Sequence, residues 1–357
     1  MKDSIKNKQT NTKQKKINLL LVKAKSKIKL PQTAGIFKDK KNKNNETYKT
    51  KFNNWYLFPI IILFIVLIAL TVYNTSIKQE IAELTPITTS SINLATYPYI
   101  TNALTPQITA ESALIYDTTS KITLFEKKPS LRFSMASTTK IMTALTALEH
   151  FEKTDVITIK NTYTEGAIIG FLPGEQLSFE NMLYALLLPS ANDAAYAIAE
   201  NYPGGLGEFV AKMNKKASAL KLNYTHYADP SGLDDDGNYT TTSDLAKLAS
   251  YALTQKDFAK IIATKTKVIS TIDGTNTYTI NNLNKLLGEN GVIGMKTGYT
   301  QGAGEVLVTA KKEKDHIFII IVMKSEDRFQ DTEVLLRYVS DNIKFINPGK
   351  YLLDNNK

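Results

Sequence analysis

Nineteen consecutive residues from Trp55 to Tyr73, WYLFPIIILFIVLIALTVY, carry no charge. At about 1.5 Å per residue, an α-helix of that length spans roughly 30 Å, the thickness of a bilayer's hydrocarbon core. Trp55, Tyr56 and Tyr73 stand at its two ends, where amphipathic rings favour the headgroup region, and Pro59 falls in the first turn, where a missing N–H costs little. A buried core helix is the competing reading, but such helices seldom run this far without a charge. Residues 1–54, ahead of the run, hold 16 lysines against Asp3, Asp39 and Glu46. The positive-inside rule then keeps the N-terminus in the cytoplasm and sends the rest across. The following NTSIKQEIAEL has no A-x-A cleavage pattern, so the segment is expected to remain as an uncleaved anchor.

The lysine-rich tail also accounts for the charge of the whole chain. The formal net charge is +10 and the pI about 9.3, less than the tail's own surplus, so everything after residue 54 is slightly acidic. A nucleic-acid-binding body is therefore not expected. Cysteine is absent, which excludes disulfides and thiolate zinc sites. His150, His226 and His316 stand at no metal-ligand spacing, so neither a metal nor another cofactor is called for.

The chain divides into a basic cytoplasmic tail (1–54), an anchor (55–74), a Thr-, Ser- and Pro-rich stalk (75–108), a globular domain (109–347) and a short tail (348–357). Within the first tail, INLLLVKAKSKIKL (17–30) mixes apolar and basic residues and suits either an inner-leaflet helix or a solvated segment. In the globular part, 113–127 reads as two strands around a polar turn. Apolar spacing predicts helices over 138–151, 180–188 with Ser178 as N-cap, 192–202, 207–220, 243–253 with Thr242 or Ser243 as cap, and 331–346. The pattern changes to strands over 291–299, 304–312 and 316–324. The expectation is an α+β fold: an antiparallel sheet flanked by helices, with a helical subdomain, behind one N-terminal transmembrane helix.

Three short segments carry chemistry. Ser137-Thr138-Thr139-Lys140 places a hydroxyl and an amine three residues apart at a helix start, on one face. A serine becomes a strong nucleophile only when an adjacent base takes its proton, and a lysine is that base only if neutral. Ser190-Ala191-Asn192 is a turn whose hydroxyl and amide suit proton relay and substrate binding, although an ordinary helix cap reads the same way. Lys296-Thr297-Gly298 puts a cation, a hydrogen-bond donor and a glycine that admits close backbone approach on one strand; alone, it reads equally as an edge strand with a bulge. Each is weak by itself. In the order S-x-x-K, S-x-N, K-T-G they form the signature of penicillin-binding proteins and class A β-lactamases.

From about Glu111 to Phe345 the chain resembles the low-molecular-mass D-Ala-D-Ala carboxypeptidases, peptidase family S11. The likeness extends through ASTTKIMTAL, LLLPSANDAA, FVAKMNKKA, HYADPSGLDDDGNYTTTSDLA and GMKTGYTQGAG. It implies a β-lactamase/transpeptidase-like fold and removal of the terminal D-alanine from peptidoglycan stem peptides, with β-lactams as inhibitors. Ser137 is then the nucleophile, Lys140 its base, Ser190 the proton donor to the leaving amine, and Asn192 a holder of the peptide backbone. Lys296 and Thr297 bind the terminal carboxylate, and Lys296 keeps Lys140 neutral by repulsion. Gly298 admits the substrate, and the backbone N–H groups of Ser137 and Tyr299 form the oxyanion hole.

Some members carry histidine where this chain has Tyr299, and Arg328 is a candidate second carboxylate ligand. A class A-like β-lactamase would need an E-x-x-L-N block, whereas the corresponding region reads HYADPSGLDDDGN. A DD-endopeptidase is not separable by sequence. A non-catalytic wall-binding protein is disfavoured by the intact motifs. A Ser-His-Asp hydrolase would need His226 as base and a G-x-S-x-G elbow, which is missing; His226 is expected to pack or cap locally.

Overall fold

The computed structural model describes residues 57–83, 96–101, 104–233 and 236–346. The 17–30 segment, Trp55, Tyr56 and both tails lie outside the described residues. Two units result, divided after Thr88. The first contains helix α1, Leu57–Glu83. Its stretch Leu57–Gln79 is the one helix, among the described residues, long and apolar enough to cross a membrane. It has a mean hydropathy of 2.6, and no part of the apolar window is buried. A helix apolar on every side has no polar face to turn towards water.

The second unit follows in chain order. Strand β1 is Tyr97–Ile100, β2 Ser112–Asp117, β3 Ile122–Lys127 and β4 Phe133–Ser134. A 3-10 turn, Ala136–Thr139, leads into helix α2, Lys140–Ala147. Strands β5 (Val156–Thr158) and β6 (Gln176–Ser178) precede α3 (Phe179–Leu187), α4 (Asn192–Asn201) and α5 (Gly205–Ala219). Then come β7 (Tyr239–Thr240), α6 (Thr242–Leu253), α7 (Lys256–Ile262), the hairpin β8 (Thr266–Ser270) and β9 (Thr277–Asn281), and β10 (Val292–Thr300), β11 (Gly304–Glu313) and β12 (His316–Ser325). Helix α8, Arg328–Asn342, and strand β13, Ile343–Ile346, complete it.

Five strands form one antiparallel sheet in the order β10-β11-β12-β2-β3. β12 lies in its middle, which explains the unbroken apolar run HIFIIIVMK: successive side chains alternate between two buried faces. Phe318, Ile320 and Val322 pack with Leu335, Leu336 and Val339 of α8. Ile319, Ile321 and Met323 face the larger core, built with α2 to α7. Where the globular part begins, the buried Asp331 carboxylate accepts from Thr109 N at 2.9 Å, Ala110 N at 2.7 Å and Ser325 Oγ at 2.6 Å, fixing the chain onto the sheet.

Several sequence expectations are revised. Residues 97–100, read as stalk, form β1 and pair with β13. The last helix ends at Asn342 rather than at 346, because Ile343–Ile346 is drawn into that pairing. The helix predicted over 138–151 starts as a 3-10 turn and stops at Ala147. All eight residues of α2 are buried, so it has no solvent face. The cap of α6 is Thr241, whose side chain accepts from Asp244 N, and not Thr242 or Ser243. Ser178 caps α3 as expected, accepting from Asn181 N.

Candidate active site

Helix α2 runs through the centre of the larger core, and its first residue is Lys140. A lysine here cannot reach solvent: the side chain is 0 % exposed. Its Nζ donates to Ser137 Oγ at 3.0 Å, Asn192 Oδ1 at 2.6 Å and the Ser231 carbonyl at 2.7 Å. Burial lowers the amine from 10.5 to about 7, against the opposing pull of the Asp229 and Asp193 carboxylates. Burial, rather than repulsion from Lys296, is thus the main reason the amine can be neutral.

Ser137 sits in the turn that precedes α2, directly after Ala136, whose φ of 48° lies in the left-handed region. Such a conformation costs a non-glycine residue free energy and is typical of functional turns. Two neighbours pack against this turn. Gly232, at φ 85°, comes so close that a Cβ there would lie 2.0 Å from the Ala136 carbonyl oxygen. Gly298 of β10 packs beside it, where a Cβ would meet Ala136 Cβ at 3.1 Å and Ser137 N at 3.2 Å. β10 is an edge strand, and Gly298 is what lets that edge approach the nucleophile.

Ser190 ends the turn between α3 and α4 with φ 67°. Its hydroxyl is buried and has no hydrogen-bond partner among the described residues. A buried, unpartnered hydroxyl on a strained backbone has a standing desolvation cost, which a substrate or a transferred proton would relieve. Asn192, the first residue of α4, has its amide engaged within the protein: Oδ1 accepts from Lys140, and Nδ2 donates to the Glu165 carbonyl at 2.8 Å. The structure therefore gives Asn192 a hold on Lys140 and also places it in the lining of the cleft.

Lys296 is buried at 1 % exposure, with Nζ donating to the Thr297 carbonyl at 3.1 Å. Burial, then the charges of Lys140 and Arg328, hold its amine well below the ordinary value. Between the two lysines the repulsion is mutual, and burial dominates both. Arg328 begins α8, where Asp327 caps the helix, and its Nη1 donates to the Gly298 carbonyl at 2.8 Å. Its Nε has no partner among the described residues. Tyr299, in contrast, is 64 % exposed, so its side chain stands at the rim. His226 lies away from the site and bonds the Gly237 carbonyl through Nδ1.

Ser137, Ser190, Asn192, Thr297, Gly298, Tyr299 and Arg328 line one cleft of about 270 Å³, with Gly166, Ala167, Leu233, Leu283 and Thr300. Lys140 and Lys296 lie buried beneath it. The three motifs thus converge. Sequence reasoning assigned no role to the Asp229-Pro230-Ser231-Gly232 turn, which supplies an acceptor for Lys140, or to the 160–175 loop, which forms the opposite wall. The Asp-Pro-Ser-Gly string is a strong turn signal, but nothing in it says which way a backbone carbonyl will point.

Comparison with known proteins accords with this geometry. The family described as D-alanyl-D-alanine carboxypeptidase, peptidase family S11, matches residues 100–327. D-alanyl-D-alanine carboxypeptidase DacF of Bacillus subtilis is 32% identical over 221 residues, covering 60% of this chain and 57% of that protein. The D-alanyl-D-alanine carboxypeptidase of Streptomyces sp. K15 is 31% identical over 255 residues, covering 65% of this chain and 88% of that protein. A D-alanyl-D-alanine endopeptidase of Escherichia coli K12 is 29% identical over 235 residues, 64% of this chain and 76% of that protein. The crystal structure of the Streptomyces K15 DD-transpeptidase superposes with a TM-score of 0.63 at 31% identity, covering 66% of this chain and 98% of that one. The serine–lysine pair beneath a cleft of this shape and the match over most of the globular unit lead to one conclusion: the chain belongs to the D-alanyl-D-alanine carboxypeptidase family S11, a family of serine hydrolases.

Proposed function

We propose that the chain is a serine-type D-Ala-D-Ala carboxypeptidase, anchored by α1 with its N-terminus in the cytoplasm, that trims stem peptides outside the membrane. The observation that carries this reading is the 3.0 Å contact between Ser137 Oγ and an amine that burial brings to about 7. Near neutral pH a substantial fraction of that amine is unprotonated and can accept the hydroxyl proton. Ser137 Oγ then attacks the carbonyl between the two D-alanines. The N–H groups of Ser137 and Tyr299 receive the oxyanion, an assignment supported by the close passage of β10 at Gly298. The C–N bond breaks as Ser190 passes its hydroxyl proton to the leaving amine and is reprotonated by the proton Lys140 had taken, which leaves Lys140 neutral again. Water hydrolyses the acyl-enzyme with Lys140 again as base.

The terminal carboxylate is bound by Thr297, Lys296 and Arg328. Burial and its cationic neighbours hold the Lys296 amine well below its ordinary value, and an arriving carboxylate raises it. Peptidoglycan stem peptides ending in D-Ala-D-Ala are the substrate, and β-lactams acylate the same serine. The endopeptidase names among the relatives give the cross-linked peptide standing as a second substrate.

Mass spectrometry after incubation of the full chain with penicillin tests the reading. The expected result is a penicilloyl adduct on Ser137, absent in Ser137→Ala. An adduct elsewhere, or none, would reject Ser137 as the nucleophile.

A further inference from the structure

Two carboxylates outside the cleft lining stand beside the groups that grip Lys140. Asp193 follows Asn192 in α4 and is 3 % exposed. It accepts from the backbone N–H groups of Ile169 at 3.0 Å, Gly170 at 2.8 Å and Phe171 at 3.3 Å. These bonds fix the 160–175 loop against α4, and the same loop supplies the Glu165 carbonyl that orients Asn192. Asp229 precedes Ser231 by two residues. Its Oδ1 accepts from Ser231 N at 2.6 Å, Ser231 Oγ at 2.7 Å and Gly232 N at 2.7 Å, and its Oδ2 from Asn238 Nδ2 at 2.6 Å. That closed turn aims the Ser231 carbonyl at Lys140.

We propose that Asp193 and Asp229 are positioning residues that fix the two acceptors of the Lys140 amine and, by their charge, keep it basic enough to take the Ser137 proton. The inference rests on Lys140 being the general base. Lys296 provides the internal contrast. Both amines are fully buried, and they differ in the sign of their surroundings. Lys140 is faced by Asp193 from α4 and Asp229 from the turn, with the Lys296 amine on β10. Lys296 is faced by the cations Lys140 and Arg328. Lys140 is held at about 7 with two carboxylates opposing its burial, whereas at Lys296 burial and both neighbouring charges act in the same direction, well below the ordinary value. An amine with no carboxylate beside it is the weaker base and the poorer at drawing a proton from a hydroxyl.

The test is the rate of penicillin acylation of the full chain in detergent micelles from pH 5 to 9. It compares the parent with Asp229→Asn, Asp193→Asn and the exchange Asp229→Asn/Asn238→Asp. The parent's rate is expected to rise through an acid limb near pH 7. Each single variant loses a negative charge beside Lys140, so its amine titrates lower and the limb moves to lower pH, by roughly one pH unit for a charge at close range. The exchange retains a carboxylate and the 229–238 hydrogen bond, and its limb returns towards the parent's. If Asp229→Asn does not fold, Asp193→Asn carries the test. Slower rates with an unmoved limb would mean that the carboxylates only hold loops in place, which overturns the inference and leaves Lys140 as base. A parent with no acid limb in this range overturns the reading of Lys140 itself, and the inference with it.

Discussion

Replacing Lys140 with methionine keeps most of the side-chain volume and removes the buried amine. The consequence for stability follows from proton linkage. In the unfolded chain the amine titrates near 10.5, and in the folded chain near 7. Below pH 7 both states are protonated and the folded state carries the full cost of burying the charge, about 5 kcal/mol at about 1.4 kcal/mol per pH unit. Between pH 7 and 10.5 the folded amine is neutral while the unfolded one is charged. The unfolded state then binds more protons, and stability rises with pH. The parent should therefore gain about 3 kcal/mol on the Lys140→Met variant between pH 7 and 9.5. The variant also strands Asn192 Oδ1 and the Ser231 carbonyl, at roughly 1–3 kcal/mol each, but that cost does not vary with pH. Lys296 is present in both proteins, and since burial outweighs Lys140 among the causes that lower it, most of its own pH dependence cancels. At about 2–4 °C per kcal/mol for a unit of this size, the difference in Tm should swing by on the order of 10 °C. Thermal unfolding of both full chains in detergent micelles, followed by circular dichroism from pH 6 to 9.5, reads it directly. Parallel curves across that range would show that the folded protein holds Lys140 as an ordinary charged lysine, and would refute the reasoning.

Further outcomes are expected at neighbouring positions. Gly232→Ala would place a Cβ 2.0 Å from the Ala136 carbonyl at φ 85°, so penicillin acylation should fall by at least about tenfold and Tm should drop by several degrees; a variant with parental acylation would show that the turn tolerates displacement. Arg328→Gln should raise KM about tenfold for peptides with a free terminal carboxylate, as for a lost charge-assisted hydrogen bond, while leaving hydrolysis of a neutral ester unchanged; equal effects on both substrates would remove Arg328 from carboxylate binding. Because Lys296 is held well below its ordinary value, binding a carboxylate should take up a proton at a pH below the ordinary lysine range. Calorimetry of a non-hydrolysed peptide analogue in buffers of different ionisation enthalpy would show this uptake as a buffer-dependent heat, and buffer-independent heats would contradict it.

Much of the site was legible in the sequence because its chemistry lies in side chains at short, fixed spacings. Ser137 and Lys140 share a helix start, and Lys296 to Gly298 alternate along a strand, so their relative placement follows from local geometry. The central strand was legible for a related reason: an unbroken apolar run suits a strand covered on both faces. The missing parts depend on long-range contacts. Strand β1 exists only because β13, some 240 residues later, pairs with it, and that same pairing cuts α8 short. The Ser231 carbonyl holds Lys140 through a backbone atom, which leaves no residue-type signature. Asn192 lines the cleft as its place in the second motif suggests, but its bonds to the Lys140 amine and the Glu165 carbonyl depend on contacts from distant parts of the chain.

Release of D-alanine from a pentapeptide ending in D-Ala-D-Ala tests the central claim most directly, with the full chain in detergent micelles measured beside Ser137→Ala. The parent should liberate the terminal residue catalytically and the variant none. Equal release from both proteins, or no release from a parent that remains folded, would contradict the account.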